Sequence, residues 1–346
     1  MPSIKKDLKA PSFSHLKEWF DRHDFPPYRT KQLIHWIYNK KIDRLDQLTD
    51  FSKKERLFLE ENGYVSSLEI VRKFSSRDGT LKFQFKLEDG EQIETVLIPD
   101  KGRNTLCIST QAGCGLDCKF CLTAKGGLKR NLKAHEIVDQ FLIISKESEV
   151  TNIVMMGMGE PLANFQEVSE AIDRLTDSNA CTFSPRKITV STAGMVPGIQ
   201  KLGELPRQVN LAVSLNATTN AIRDMIMPIN KTYPLETLLE ACRNFPLLPR
   251  RRIFFEYVLL EGINDALEDA RRIPKLLRGI PSKVNLIPFN EYPGAIFKRP
   301  QESAVLAFQK ILTDANLTTF IRKSRGNDVL AACGQLINSG SPAEVA

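Results

Sequence analysis

The chain has 346 residues, of which 42% are hydrophobic and 26% charged, an ordinary globular balance with room for one large domain and an accessory one. That balance excludes fibrous and disordered classes, and no stretch approaches the roughly 18 unbroken apolar residues of a membrane span, so a cytoplasmic protein without membrane attachment is expected. A net charge of +7 favours a polyanionic partner, nucleic acid first, while seven cysteines, four of them within residues 107–121, argue against a disulfide framework.

Taken in chain order, residues up to about Asn62 read as helices. SHLKEWFDRH is followed by YRTKQLIHWIYNKK, which puts Leu33, Trp36 and Ile37 on one helical face, and Pro26-Pro27 separates the two. From Leu68 to Leu97 the short alternating segments VRKF, LKFQFKL and IETVLI, split by SRDG and EDG, predict a small antiparallel meander. Residues 1–99 are therefore expected as an N-terminal accessory domain, residues 100–336 as the main domain and residues 337–346 as a tail.

Beyond Asp100 the pattern alternates strand and helix. Strands are predicted at 105–109, 152–156, 187–191, 209–214, 253–260 and 283–288, with helices such as HEIVDQFLIIS, NFQEVSEAIDRL, LETLLEACRNF, DALEDARRIPKLL and ESAVLAFQKIL between or after them. This rhythm predicts an α/β protein with a parallel sheet, and a partial or full βα barrel is favoured over an open doubly wound sheet. Gly159, Glu160, Ser191, Ser214 to Asn216 and Asn290 fall at or just beyond the C-terminal ends of predicted strands, the face on which a βα barrel carries its site.

The segment CISTQAGCGLDCKFCLTAKGG places Cys114, Cys118 and Cys121 directly after the first of these strands. Three thiolates on so short a loop can ligate three irons of one cubane. The fourth iron then lacks a protein ligand, because such a cluster ordinarily takes four cysteines. The amino and carboxylate groups of S-adenosylmethionine would chelate that iron and bring the C5′–S bond beside a reductant. The competing reading is a structural zinc site with Cys107 as fourth ligand, in a non-catalytic RNA-binding protein. One tight loop, in place of two separated Cys-x2-Cys knuckles, favours the cofactor.

CGLDCKFC resembles the signature of the radical S-adenosylmethionine superfamily. MMGMGEPL, PRKITVSTAGMVPGI, VNLAVSLNA, MPINKTYPL, VNLIPFNEY and AACGQL are similar to strings of its RlmN/Cfr family of RNA methyltransferases, and the resemblance reaches Leu336. It implies a [4Fe-4S] cluster on Cys114, Cys118 and Cys121, with S-adenosylmethionine held by Gly159, Glu160, Ser191, Ser214, Leu215, Asn216 and Asn290. It also implies that Cys333 accepts a methyl group from one S-adenosylmethionine. A radical from a second then activates that carbon to attack adenine. Cys107 would release the covalent RNA adduct through a disulfide with Cys333, once Glu94 takes the ring proton. The implied product is C2-methylated adenosine in 23S rRNA, and in tRNA beside the anticodon. The implied enzyme is a monomer supplied by an external electron donor such as a flavodoxin. The Cfr-like branch, which methylates C8 of the same rRNA base, is the alternative. The family commonly has His where this chain has Asn216, and an amide still donates and accepts hydrogen bonds.

Apart from the resemblance nothing marks Cys333 or Glu94. A lone Cys after two alanines reads as a small buried hydrophobe, and a lone Glu in a strand as part of a solvated face. Cys181, Cys242 and the four histidines take equally plain readings. Lys119, Lys125, Lys129, Arg130 and Lys133 form a basic run without an acidic residue, and Arg250 to Arg252 and Arg322-Lys323-Ser324-Arg325 form two more. Such runs hold phosphates without reading sequence, or simply face solvent.

Overall fold

The computed structural model describes residues 5–337, so the expected tail lies outside the described residues except for Ile337. Ten strands form one sheet: β1 (Glu69–Ser75), β2 (Leu81–Lys86), β3 (Gln92–Asp100), β4 (Arg103–Cys107), β5 (Asn152–Met155), β6 (Ile188–Thr192), β7 (Asn210–Ser214), β8 (Ile253–Leu259), β9 (Ser282–Pro288) and β10 (Thr319–Ile321). Their order across the sheet is their order along the chain. Neighbours pair antiparallel from β1 to β4 and parallel from β4 to β10.

That order decides between the two architectures. A doubly wound sheet reverses its strand order once, at a switch point. Here every parallel crossover advances one strand in the same direction, and right-handed crossovers then put all the connecting helices on one face. β1 and β10 remain two separate edges, so the barrel is partial and does not close. All six predicted strands are present. The seventh parallel strand, β10, is three residues long and too short to register as a hydrophobic pattern.

The helices are α1 (Phe13–Asp21), α2 (Pro27–Ile34), α3 (Lys53–Asn62), α4 (Leu122–Lys125), α5 (Ala134–Ile144), α6 (Phe165–Thr176), α7 (Val196–Gly203), α8 (Asn220–Ile226), α9 (Leu235–Arg243), α10 (Leu267–Leu276) and α11 (Glu302–Asp314). Local chemistry sets several starts. The Ser12 hydroxyl caps α1 by accepting from the His15 N–H, Ser52 and Glu55 cap α3 reciprocally, and α2 begins on Pro27. The N-terminal segment is fastened to the barrel helices by buried polar groups. Arg174 of α6 donates to the carbonyls of Lys9, Ala10 and Pro11 and to the Tyr38 hydroxyl, while Lys9 pairs with Asp139 of α5 at 2.6 Å.

The meander β1 to β3 continues directly into the barrel sheet. β3 and β4 are joined at Lys101-Gly102, both with positive φ, as a two-residue hairpin turn requires. The expected boundary at residues 99 and 100 therefore falls at a turn within one unbroken sheet.

Candidate active site

Because β4 to β10 are parallel, everything that follows their C-terminal ends shares one face. A two-stranded ribbon, Gln111–Gly113 against Leu128–Asn131, closes the neck of the cysteine loop after β4. Gly113 has φ +79°, and a Cβ there would collide with the carbonyl oxygen of Gly127, so the neck admits only glycine. Inside the loop the Cys114 N–H donates to Gly127 O at 3.0 Å and the Cys121 N–H to Cys118 O at 3.0 Å. The Lys119 N–H reaches Ile226 O of α8 at 3.0 Å. Leu116, Cys118 and Phe120 rest on an apolar floor that includes Ile226, Met227, Phe289 and Tyr292.

Burial pushes the Cys114 thiol up to about 11 and Cys118 well above the usual thiol range, and the other loop thiols add to both. Ligation requires thiolates, so the site needs a compensating positive charge. Arg223 of α8 supplies it. Its guanidinium is fully buried and donates to the carbonyls of Ala193, Ser214 and Leu215 and to Asn230 Oδ1, with no carboxylate among these partners. Burial lowers its pKa to about 10, and the field of Cys118 acts against that fall. An unpaired buried charge costs several kcal/mol, of order 3–5. A cluster of net negative charge on three thiolates, next to Cys118, offsets that cost. The residues therefore fit a [4Fe-4S] cluster.

Beyond β5 the chain passes so close to the cysteine loop that Gly159, at φ +101°, has Gln111 where a Cβ would lie, 2.5 Å from the Gln111 Cβ. The Glu160 N–H donates to Gln111 Oε1 at 2.8 Å, and the buried Glu160 carboxyl accepts from the N–H groups of Ala193 (2.7 Å) and Leu162 (3.1 Å). Burial raises that carboxyl to about 7. Ser191 and Ser214 close β6 and β7 at this same rim, and Leu215 is buried. Asn216, at φ +54°, turns its side chain into the fold: Oδ1 accepts from Val258 N–H at 2.8 Å and Nδ2 lies 3.2 Å from Met227 Sδ. That amide thus ties β7 to β8.

Cys333 lies on the loop after β10, and this loop is fixed from many directions. Leu122 N–H donates to Gly334 O (2.7 Å) and Thr123 Oγ1 to Leu336 O (2.6 Å), which joins it to the cysteine loop. Asn290 Nδ2 donates to Cys333 O at 3.1 Å, and Asn290 Oδ1 accepts from the Ser324 hydroxyl. Glu94, buried on β3, accepts from Ile337 N–H at 3.0 Å and pairs with buried Lys82 at 2.8 Å. Burial holds the Glu94 carboxyl above its usual range against the pull of Lys82. Cys333 is an exposed residue, Cys107 is buried, and all seven cysteines are free thiols. Burial pushes Cys333 and Cys107 each to about 12, Cys107 further through Cys333 and Cys333 further through Cys121. Cys107 thus stands with Cys333 and the backbone of Met156, apart from the three-cysteine loop.

Arg223, Gln111 and Lys82 escaped the sequence reading. Lys82 and Gln84 alternate with apolar residues and so read as a wet face, yet both are buried, Lys82 beneath the Cys333 loop with its ammonium 3.3 Å from Leu330 O. An isolated Arg in AIRDMI was the available sign of Arg223. The basic runs divide. Arg250 to Arg252 precede β8 and lie at the opposite end of the barrel, whereas Arg322 to Arg325 follow β10 at the site. Arg130 is neutralised by Asp89 and Glu136, and Lys119 by Asp117.

Residues 108–273 match the family model of the Radical SAM superfamily, and residues 6–65 that of the Ribosomal RNA large subunit methyltransferase N-terminal domain. A protein of Desulfosudis oleivorans named Dual-specificity RNA methyltransferase RlmN is 49% identical over 339 residues, spanning 96% of this chain and 91% of its own. A protein of the same name from Pelobacter propionicus is 50% identical over 333 residues, 96% of each chain. A crystal structure of a radical SAM methyltransferase from Sphaerobacter thermophilus matches with a TM-score of 0.90 at 39% identity, covering 96% of this chain and 99% of that one.

Proposed function

We propose, because this chain belongs to the RlmN family of radical S-adenosylmethionine RNA methyltransferases, that it methylates C2 of adenosine in 23S rRNA and in tRNA beside the anticodon. The observation that carries this reading is the pair of hydrogen bonds, Leu122 N–H to Gly334 O at 2.7 Å and Thr123 Oγ1 to Leu336 O at 2.6 Å, that hold the Cys333 loop against the three-cysteine loop. An enzyme of this family works with a [4Fe-4S] cluster and S-adenosylmethionine. When bound by Cys114, Cys118 and Cys121, the cluster supplies the electron that cleaves S-adenosylmethionine.

The remaining work falls to side chains. Adenine C2 is an unactivated carbon without a nucleophilic lone pair, so the new carbon must arrive on a protein atom. Cys333 is that atom: accessible, beside the cluster loop and on a loop tied to it. Its thiolate takes a methyl group from a sulfonium, and the activated carbon then adds to the ring. The resulting radical adduct must give up one electron, taken back by the external redox partner, together with the ring proton, which Glu94 accepts. Attack of the Cys107 sulfur on the Cys333 sulfur forms a disulfide and breaks the sulfur–carbon bond. The freed carbon takes a proton and becomes the methyl group. Gly159, Glu160, Ser191 and the Ser214 to Asn216 turn frame the S-adenosylmethionine pocket. An external one-electron donor such as a flavodoxin completes the cycle, and the enzyme acts as a cytoplasmic monomer. In support, no helix among the described residues is long and apolar enough to cross a membrane.

Nucleoside mass spectrometry of rRNA and tRNA from a deletion strain tests the product. Loss of 2-methyladenosine is expected; its retention overturns the reading, and loss of an 8-methyl product instead supports the Cfr-like branch. For the mechanism, Cys107→Ala should trap the RNA adduct and Cys333→Ala should form none. Free, unmodified RNA from both variants under turnover conditions counts against the covalent route.

A further inference from the structure

We propose that Ile296 is a wedge that occupies the gap in the RNA stack while the target adenine is in the site, a role that rests on the RNA-methyltransferase reading above. Ile296 is 78% exposed, well above any other large hydrophobic residue among those described, the next being Tyr28 at 54%. It is not on a loose segment. Ala295 and Phe297, on either side, both pack into the apolar floor of the site, and Phe297 meets Phe289 edge-on at 6.3 Å. The Ala295 N–H closes a turn on Tyr292 O, and Lys298 O accepts from Glu261 N–H, each at 3.0 Å. An apolar tip held outward between two inward-packed neighbours is presented rigidly.

Its position links it to the reacting centre. Gln335, two residues from Cys333, donates to Glu291 O at 2.7 Å, and Asn290 holds Cys333 O. Lys125, four residues after Cys121, donates to Gly294 O at 3.3 Å and lies 4.9 Å over the Tyr292 ring. The loop that carries Ile296 therefore shares its base with both halves of the site. Exposed Lys298 and Arg299 follow the tip and Lys125 stands beside it, against Glu261 and Glu291 at the base of the loop, so the surface around the one apolar side chain keeps a small excess of positive charge. That combination suits a polyanion with apolar base faces.

The chemistry requires such an element. C2 of adenine lies on the inner edge of the base, and Cys333 sits on a loop tied to the cysteine loop, so the base must leave its stack to reach it. Unstacking costs a few kcal/mol, and an inserted aliphatic side chain offsets part of it by covering the bared faces of the neighbouring bases.

The test uses full-length reconstituted enzyme, Ile296→Ala and Ile296→Leu, with two RNA stem-loops. One carries the target adenosine stacked in sequence; the other carries it between two abasic positions, with no neighbouring base to stack on. On the stacked RNA, Ile296→Ala should transfer methyl about tenfold more slowly, the equivalent of about 1.4 kcal/mol, and Ile296→Leu should recover most of the rate. On the unstacked RNA all three proteins should agree. A third RNA, with unreactive 2-aminopurine at the target, reads extrusion without chemistry: its fluorescence should rise with wild type and Ile296→Leu and rise severalfold less with Ile296→Ala. Equal rates on the stacked RNA, an equal loss on both RNAs, or unchanged 2-aminopurine fluorescence would overturn the wedge alone. Absence of methylation of either RNA by the wild type would overturn the functional reading beneath it.

Discussion

The cysteine loop and the Cys333 loop meet at Leu122 and Gly334, yet they are held in opposite ways. The first is closed by its own ribbon, with Gly113 fixing the neck, and is braced within itself by Cys114 to Gly127 and Cys121 to Cys118, with Lys119 to Ile226 O as its long-range bond to α8. The second depends on partners far along the chain: Asn290 is 43 residues away, Glu94 243 and Ser76 252. Three ligands of one rigid cluster need fixed mutual spacing, which a short covalent loop provides. A residue that receives carbon, delivers it and then forms a disulfide must change partners, and many separate hydrogen bonds, each of about 1 kcal/mol, permit small movements that one tight turn would not.

The largest effect should come from breaking the local loop. Cys118→Ala removes one of the three proposed cluster ligands, so iron and sulfide content after reconstitution should collapse along with S-adenosylmethionine cleavage. The Cys333 loop should survive, because its tethers reach Glu94, Asn290 and Ser76. Retention of a full iron complement in Cys118→Ala would break the comparison.

Next is the buried anchor of the distant loop. Lys82→Met leaves the buried Glu94 carboxyl without its partner, and breaking a buried pair from one side costs about 3–5 kcal/mol. Adding Glu94→Gln should recover much of that in urea unfolding, although it removes the proposed base, so stability and turnover should separate. A double variant no more stable than Lys82→Met would show that the pair does not act as a unit.

The same difference explains what could be read from the amino-acid sequence. Cys114, Cys118 and Cys121 identify themselves by spacing, and the strand-end residues by the βα rhythm. Cys333 and Glu94 were found only through resemblance to a family. Their significance comes from long-range packing, which leaves no local periodicity. Lys82 gives no local sign of its burial, because the loop that covers it lies some 250 residues downstream. Arg223 carries no motif of its own, and its role follows from burial without a carboxylate partner.

Acid should act on neither loop first. His135 on α5 is buried beside Asp7, with Glu136, Lys9 and Arg174 also in its field, and burial lowers its pKa from 6.5 to about 4. The folded protein keeps this ring neutral, so between those values the unfolded chain binds the extra proton. Its contribution is full above pH 6.5 and is lost as pH falls towards 4, about 3 kcal/mol in all. Thermal melts at pH 7 and 5 should show the loss, and His135→Gln should reduce it. An undiminished slope in that variant would assign the acid sensitivity elsewhere.

The smallest change is the most discriminating. Asn290→Ala removes one hydrogen bond to Cys333 O and one from Ser324, at a cost of about 1 kcal/mol because the exposed loop can take water instead. Both functional atoms of the Asn290 amide are engaged with the Cys333 side of the site. Its loss should therefore misplace the methyl acceptor while leaving S-adenosylmethionine affinity near wild type. Methylation of Cys333, followed by mass spectrometry of the intact protein, should slow about 3–10-fold. If affinity falls and methylation at saturating S-adenosylmethionine does not, then Asn290 serves the cofactor pocket, and the carrier loop is positioned by Glu94, Gln335 and Thr123 without it.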